Sequence, residues 1–215
     1  MVAGALIMGL SIGISKLAML GTTPISTIPA VMSYAFPDLT IGMWTIIINI
    51  LLVAIEFGIL GKAHFNPWIV FQLPIAILLG MFTDLGCELF ESIVTSDVYA
   101  LQWFWNIFAC FVLSIGVFII VTANLLIAPG DGIVVAMAMR IKLPFSRLKV
   151  IFDSSNVVIA AVISLALMGG FFGVREGTVF AAVAVGMFVG VWKKKFGDRL
   201  ETLMVPAGER GKKEA

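Results

Sequence analysis

Residues 125–140, LLIAPGDGIVVAMAMR, decide the fold because they interrupt a long apolar run. Pro129, Gly130, Asp131 and Gly132 stand between two stretches that are otherwise almost wholly apolar. Proline and glycine both disfavour the interior of a helix. The stretch therefore predicts a helix break, followed by a short apolar helix that begins near Asp131 and is too short to cross a membrane.

The composition predicts an integral membrane protein. The chain has 215 residues, of which 60% are hydrophobic and 13% charged, whereas soluble domains carry roughly 25% charged residues. Continuous apolar runs approach the ~20 residues of a spanning helix, and they lack the alternation of a membrane β-barrel. We expect an all-α membrane protein with six transmembrane helices, near residues 3–20, 42–60, 67–90, 103–125, 148–170 and 176–193.

Short motifs recur in the same order in both halves of the chain. LSIG occurs at 10–13 and 113–116, and GMF occurs at 80–82 and 186–188. Alignment of LGTTPIS at 20–26 with LLIAPGD at 125–131 places Pro24 opposite Pro129 and Ser26 opposite Asp131. Because each unit has three spans, an odd number, two adjacent copies must lie in opposite orientations in the membrane. This inverted arrangement is common in transporters. The sequence thus predicts two inverted three-helix repeats, 1–98 and 99–195, each with a short broken or re-entrant helix after its first span, and a polar tail, 196–215.

The distribution of basic residues predicts the orientation. Short cytoplasmic loops are enriched in lysine and arginine, and the segments at 21–41 and 91–102 contain neither. The N-terminus lacks a basic n-region and a cleavage site, so it is expected to be retained as the first span. We expect a multi-pass protein of the bacterial cytoplasmic (inner) membrane with both termini in the cytoplasm, on the side of Arg140, Lys142, Arg147, Lys149 and the lysines at 193–195.

Asp131 and Ser26 are the first candidate site residues. Both residue types are good N-caps, so each short helix is expected to begin at one of them. Backbone groups freed at a break must be satisfied within the protein or line a wet cavity. Two interpretations stay open: Asp131 only caps its helix, or it also faces a polar cavity at the break.

Asp153, Asn156 and Asn49 are candidates within the spans. Asp153 lies about two turns into the fifth span, with Asn156 on the same helical face and Asn49 at the matching position of the first repeat. An aspartate in a membrane is costly and usually faces the bundle interior. Either an ion pair with Lys149 or Arg147 or a cavity-facing role fits Asp153. An interhelical hydrogen bond fits Asn49.

Other polar and small residues have simpler expected roles. Glu56 and Asp84 lie near span ends, where solvation is expected, while Gln72 is placed to line the interior. Glycine pairs four residues apart permit close helix packing; they occur at 9 and 13, 169 and 173, and 186 and 190.

Several chemistries are excluded by what the sequence contains. It has one histidine, His64, and two cysteines whose spacing matches no metal motif, so no metal or other cofactor is expected. It has no phosphate loop and no basic stripe for nucleic acid. The Gly130–Asp131 pair in an apolar segment is also a feature of intramembrane aspartyl proteases. Those enzymes, however, have a glycine three residues before the aspartate, where this chain has Ala128. We therefore expect no enzymatic activity.

The chain resembles the YczE/YyaS/YitT-like bacterial membrane proteins. The similarity lies in LGTTPIS of the first half and IAPGDG of the second, followed by LTIGMW or LPFSRLK, within residues 5–195. Ser26 and Ser146 depart from the family pattern, in which aspartate and glycine are common. The resemblance implies a multi-pass inner-membrane protein with suspected transport and no established substrate.

Two functional hypotheses follow. The first is a small transporter or exporter of a small polar or cationic solute, with proton coupling through Asp131 and Asp153. The second is a non-transporting membrane regulator or assembly factor for a partner protein. Both hypotheses place the protein in the lipid bilayer. The small size of the bundle is compatible with a homodimer.

Overall fold

The structure, a computed structural model, describes residues 1–61, 67–123, 129–141, 143 and 145–204. The described residues form eight α-helices and no strand, which agrees with the predicted all-α class. Turns of 3-10 helix precede the second and fourth helices, at Pro24–Ser26 and Pro67–Phe71. The α-helices are α1 (Val2–Leu17), α2 (Thr27–Ala35), α3 (Ile41–Leu60), α4 (Gln72–Val94), α5 (Tyr99–Ala123), α6 (Pro129–Ile141), α7 (Phe145–Met168) and α8 (Glu176–Met204).

Five of these helices are long and apolar enough to cross a membrane. The spanning segments are Ile41–Leu60, Ile69–Val94, Tyr99–Thr122, Arg147–Met168 and Glu176–Phe196. Large apolar side chains on them point outward, including Val150, Met187 and Val179, as expected of surfaces in contact with lipid. The first predicted span is shorter than expected: α1 has 16 residues, which at 1.5 Å per residue is less than a bilayer core of about 30 Å.

The end of α1 is fixed by backbone conformation. Met19 and Gly21 both have positive φ, 60° and 95°, so the chain leaves the helical path after Leu17. A side chain at Gly21 would overlap Thr178 Oγ1 of α8. Arg175 Nη1 also donates to the Met19 carbonyl at 2.9 Å. The loop before the first break is therefore held against the start of α8.

Helix α1 lies at the centre of the bundle and packs against α4 and α5. Gly9 and Gly13 allow this: a Cβ atom at Gly9 would lie 2.5 Å from Phe82 Cβ, and one at Gly13 would lie 2.6 Å from the Cys87 nitrogen. The predicted close packing at this glycine pair is confirmed. Ser11 adds a hydrogen bond from its Oγ to the Ala109 carbonyl at 2.5 Å.

The helix packing has a repeating plan. Helices α1 to α4 of the first half correspond in order to α5 to α8 of the second. Within the halves, α1 packs on α4 and α5 on α8, while α2 packs on α3 and α6 on α7. Between the halves, α3 packs on α6 and α7 packs on α2. The plan has one exception, because α3 packs closely on α4 whereas the described parts of α7 and α8 form no comparable interface.

Two aligned glycines, Gly80 and Gly186, illustrate this exception. A Cβ atom at Gly80 of α4 would lie 2.5 Å from the Gly42 carbonyl oxygen of α3. Gly186 aligns with Gly80, because both begin the repeated GMF motif. However, no described atom lies within 4 Å of a Cβ atom built at Gly186 or at Gly190. The predicted packing at Gly186 and Gly190 is therefore wrong for this conformation. At the remaining pair, Gly169 lies in the turn after α7 and also meets open space.

Candidate functional site

The second break places Asp131 inside the first turn of α6. The helix begins at Pro129, two residues earlier than expected, because proline is favourable at the first helical position. Asp131 is therefore not the N-cap, and the residues before Pro129 lie outside the described range. A carboxylate in the first turn still interacts favourably with the helix dipole.

Lys149 joins Asp131 and Asp153. Its Nζ atom lies 2.9 Å from Asp131 Oδ1 and 3.0 Å from Asp153 Oδ1. The ion pair expected between Asp153 and Lys149 is confirmed, and the same lysine also ties α7 to the start of α6. The three side chains are 28%, 33% and 26% exposed, so the triad is partly shielded and carries a formal charge of minus one.

Glu56 is buried, which corrects the expectation that it is solvated. Both Glu56 of α3 and Gln72 of α4 are only 4% exposed. Gln72 Nε2 donates to Glu56 Oε1 at 3.4 Å, while Glu56 Oε2 and Gln72 Oε1 have no hydrogen-bond partner among the described residues. The interior position expected for Gln72 is confirmed.

Gly132 of α6 lies directly beside this pair. A Cβ atom at Gly132 would lie 2.6 Å from Glu56 Oε2, 2.8 Å from Gln72 Nε2 and 3.1 Å from Gln72 Oε1. The glycine lets the start of α6 approach the two side chains and cover them. The carboxyl of Glu56 is near the end of α3 in the sequence, but α4 and α6 together separate it from the exterior.

Apolar side chains surround the α3–α6–α7 junction. Ile133 and Val134 of α6 form a buried cluster with Leu148 of α7. Side chains from α3 and α7, together with others from α6, pack against this cluster: Leu52, Ile59, Met137, Ala138 and Phe152. The polar groups at the second break therefore lie next to a hydrophobic layer.

The first break holds Ser26 without using it as a side-chain cap. Pro24 starts the 3-10 turn, and Ser26 occupies the N-cap position of α2 as predicted, but its side chain makes no capping hydrogen bond. Instead, Thr23 Oγ1 donates to Ser26 Oγ at 3.1 Å. Thr27 Oγ1 donates to the Pro24 carbonyl at 2.7 Å and lies 3.5 Å from the Asn156 carbonyl of α7.

Further neutral polar groups gather at the first break, and sequence reasoning missed most of them. Ser15 Oγ lies 3.3 Å from the Gly21 carbonyl and 3.5 Å from Asn106 Oδ1. Asn106 is fully buried, and within the described part of the chain its Nδ2 atom and Thr22 Oγ1 have no hydrogen-bond partner. An asparagine in the apolar run WFWNIFAC was the signal available in the sequence.

Asn49 and Asn156 are both buried, at 8% and 7% exposure. Asn156 lies at the α2–α7 contact, where its backbone carbonyl accepts from Thr27. Its side-chain Nδ2 has no hydrogen-bond partner in the ranges that the structure describes. The structure thus brings Asn156 to the first break and Asp153, on the same helix, to the second.

The two breaks touch each other. A side chain at Gly130 would overlap Ile25 Cδ1, so the start of α6 lies against the turn before α2. The contact itself is apolar, with the neutral polar cluster on one side and the charged triad on the other.

Asp84 caps α3. Its Oδ1 accepts from the Gly42 backbone nitrogen at 2.7 Å and its Oδ2 accepts from Thr40 Oγ1 at 2.6 Å. Thr40 in turn accepts from the Met43 nitrogen as N-cap. Asp84 is half-buried, and besides its contact with solvent it joins the start of α3 to α4.

The described side chains include no group of three or more histidine, cysteine, aspartate or glutamate residues placed to hold a metal ion. Cys87 and Cys110 are free thiols. The carboxyl, amide and hydroxyl side chains at the breaks can form hydrogen bonds, and the carboxyl groups can also bind protons.

Five helices able to span a membrane, with polar side chains meeting at two breaks in the interior, define a helical multi-pass membrane protein. The chain belongs to DUF6198, a family of unknown function, whose sequence model matches residues 1–194. No curated protein matches the sequence significantly. No solved structure matches it significantly.

Proposed function

We propose that the protein is a six-span bundle of two inverted repeats, 1–98 and 99–195, with α1 as the first span and the tail at 196–215 in the cytoplasm. The paired packing of α1 on α4 and α5 on α8, and of α3 on α6 and α7 on α2, supports this plan. The basic residues on both sides of the start of α7 and the lysines at 193–195 in α8 support cytoplasmic termini. The resemblance to the YczE/YyaS/YitT-like proteins favours a bacterial inner membrane.

On this architecture, the function supported best is transport of a small polar or cationic solute. The observation that carries the proposal is the position of Lys149 between Asp131 and Asp153, at a helix break that touches the other break. Charged side chains are expensive in a membrane and usually mark a substrate or ion pathway. The excess negative charge of the triad favours a cation or a zwitterion.

Proton coupling through the triad completes the proposal. In one state Lys149 forms ion pairs with both carboxylates. Movement of α6 relative to α7 would separate Asp131 from Lys149, and the freed aspartate would then accept a proton or the cationic solute. Alternating access in inverted-repeat transporters is largely a rocking of one repeat against the other.

Proteoliposomes test this proposal directly. A trapped pH-sensitive dye reports proton movement when potassium, guanidinium or glycine betaine is added outside. We expect one of these probes to drive proton flux that Asp131→Asn or Asp153→Asn reduces at least tenfold. Asp38→Asn, an exposed loop variant, serves as the control. Flux that survives both triad variants at every pH would refute coupling through the triad.

The apolar contact between Ile25 and Gly130 favours a second candidate, a non-transporting regulator or assembly factor. Packing of this kind separates the two breaks instead of opening them to one cavity. The unpacked face of α8 at Gly186 and Gly190 would then receive a partner protein or a second copy of this chain. Absence of solute-driven flux together with a stable co-purifying membrane protein would support this function over transport.

A further inference from the structure

The buried pair of Glu56 and Gln72 has an unbalanced set of hydrogen-bonding groups. An ionised glutamate offers only acceptors, and a glutamine side chain offers one acceptor oxygen and two N–H donors. Gln72 Nε2 donates to Glu56 Oε1. Glu56 Oε2 and Gln72 Oε1 are then two buried acceptor atoms for which the described residues supply no donor.

Leaving both atoms without a donor is costly. A buried polar group without a partner destabilises the folded state, and more strongly when it is charged. An isolated carboxylate in an apolar interior generally neutralises instead. One added proton resolves both deficits, because a protonated Oε2 is a donor. A carboxylic acid and a primary amide that lie edge to edge can form two hydrogen bonds. The amide N–H donates to the carbonyl oxygen of the acid, and the O–H of the acid donates to the amide oxygen.

The described charged groups on the neighbouring elements are engaged elsewhere or lie far along the same helix. On α4, Asp84 is bound to Thr40 and Gly42, and Glu88 and Glu91 lie roughly four or more turns beyond Gln72. On α6, Asp131 is bound to Lys149 of α7, which also holds Asp153. Helix α2 and the turn Pro67–Phe71 contain no charged residue.

The remaining charged side chain on α6, Arg140, lies two turns beyond Gly132. Among the residues described, neither it nor any other lysine or arginine forms an ion pair with Glu56. Glu56 therefore has no described cation to stabilise its ionised form, and the apolar cluster around Ile133 and Val134 lies beside it.

We propose that Glu56 is a proton-binding site that is occupied in this conformation, with Glu56 Oε2 donating to Gln72 Oε1 under the cover of Gly132. The site is separate from the Lys149 triad. It differs from the triad in chemistry, because the triad holds its carboxylates charged with an ammonium group, whereas this pair holds its carboxyl neutral with an amide.

Gly132 gives the site a means of opening. The start of α6 covers Glu56 because residue 132 has no side chain, and the same turn of α6 carries Asp131. A displacement of α6 that breaks the Asp131–Lys149 ion pair would also expose Glu56 to water and release its proton. This role in transport rests on the proposed function, whereas the protonation of Glu56 does not.

Infrared spectroscopy of the full-length protein in lipid nanodiscs at neutral pH tests the protonation. A protonated carboxyl has a carbonyl stretch that an ionised carboxylate lacks. We expect the spectrum of the unmodified protein minus that of Glu56→Gln to contain this carbonyl band, and the corresponding difference for Asp84→Asn to lack a band at that frequency. The absence of the band from the Glu56→Gln difference would overturn the proposal.

If Glu56→Gln does not fold, Gln72→Ala provides the same test, because loss of the amide acceptor should shift the acid carbonyl band. An unchanged band in Gln72→Ala would overturn the proposal. Proton flux in proteoliposomes is measured separately. A carbonyl band assigned to Glu56 in a protein without solute-driven flux would retain the proton site and reject the transport function.

Discussion

Gly130 lies against Ile25, so the start of α6 and the turn before α2 are in direct contact at the two helix breaks. The breaks come from opposite halves of the chain, and the contact depends on residue 130 having no side chain. Polar groups of two different kinds lie on the two sides of this contact.

Gly130→Ala should destabilise the protein, because the added methyl group overlaps Ile25 Cδ1. Overpacking costs about 1–3 kcal/mol, and we expect the lower end because the end of an isoleucine side chain can move. The thermal midpoint in detergent measures the effect. Combining Gly130→Ala with Ile25→Ala should cost less than the sum of the single changes, as for residues in contact.

Gly58→Ala is the matched control, because Gly58 is helical and nothing lies within 4 Å of a Cβ atom there. We expect it to be neutral or slightly stabilising, since alanine has the higher helix propensity. Strict additivity of Gly130→Ala and Ile25→Ala would contradict the contact.

Lys149→Met should destabilise the protein by leaving Asp131 and Asp153 without their shared cation. Removing one partner of a fully buried ion pair costs about 3–5 kcal/mol. The effect here should be smaller because the triad is partly exposed. The loss should be largely reversed when Asp131→Asn and Asp153→Asn are added, because the two unpaired charges are then removed.

Chemical denaturation followed by tryptophan fluorescence measures these differences. Lys194→Met, at an exposed position of α8, controls for the loss of one positive charge. If the triple variant were less stable than Lys149→Met alone, the account of the triad would be wrong.

Gly80→Ala and Gly186→Ala should behave differently although their positions are equivalent in the repeat. At Gly80 the new Cβ atom would lie 2.5 Å from the Gly42 carbonyl oxygen, whereas at Gly186 it meets open space. We expect a lower thermal midpoint for Gly80→Ala and no decrease for Gly186→Ala. Equal losses in the two variants would mean that α8 has a packing partner at Gly186.

Single cysteines test the inverted arrangement of the halves. Asp38→Cys and Leu143→Cys, both exposed, follow α2 and α6 respectively. In a background with Cys87→Ala and Cys110→Ala, we expect an impermeant maleimide to label residue 38 in intact cells. Residue 143 should react only after permeabilisation. Labelling of both from the same side would rule out opposite orientations of the repeats.

Much of the helical framework could be predicted from the sequence. The expected span at 42–60 corresponds to Ile41–Leu60, and the short helices expected to begin at Ser26 and Asp131 correspond to Thr27–Ala35 and Pro129–Ile141. Apolar runs and prolines carry this information locally. The boundary at Asp131 was two residues late, because Asp and Pro both occur at helix starts and only the backbone distinguishes them.

The site was less predictable because its contacts join distant residues. The i to i+4 spacing of Lys149 and Asp153 could be read from α7 alone. The second bond of Lys149, to Asp131, depends on how α6 folds back on α7. Likewise, Glu56 is near the end of α3, and only the positions of Gln72 and Gly132 bury it.

The chemistry of the two breaks implies that they respond differently to their surroundings. Around the first break, the described polar side chains of Ser15, Thr22, Ser26, Thr27 and Asn106 are all neutral. The second holds the Lys149 triad and Glu56. Salt and acidity act on ionisable groups and leave hydroxyls and amides almost unaffected. We therefore expect changes in the ionic environment to act on the second break and to leave the hydrogen bonds of these neutral side chains at the first break in place.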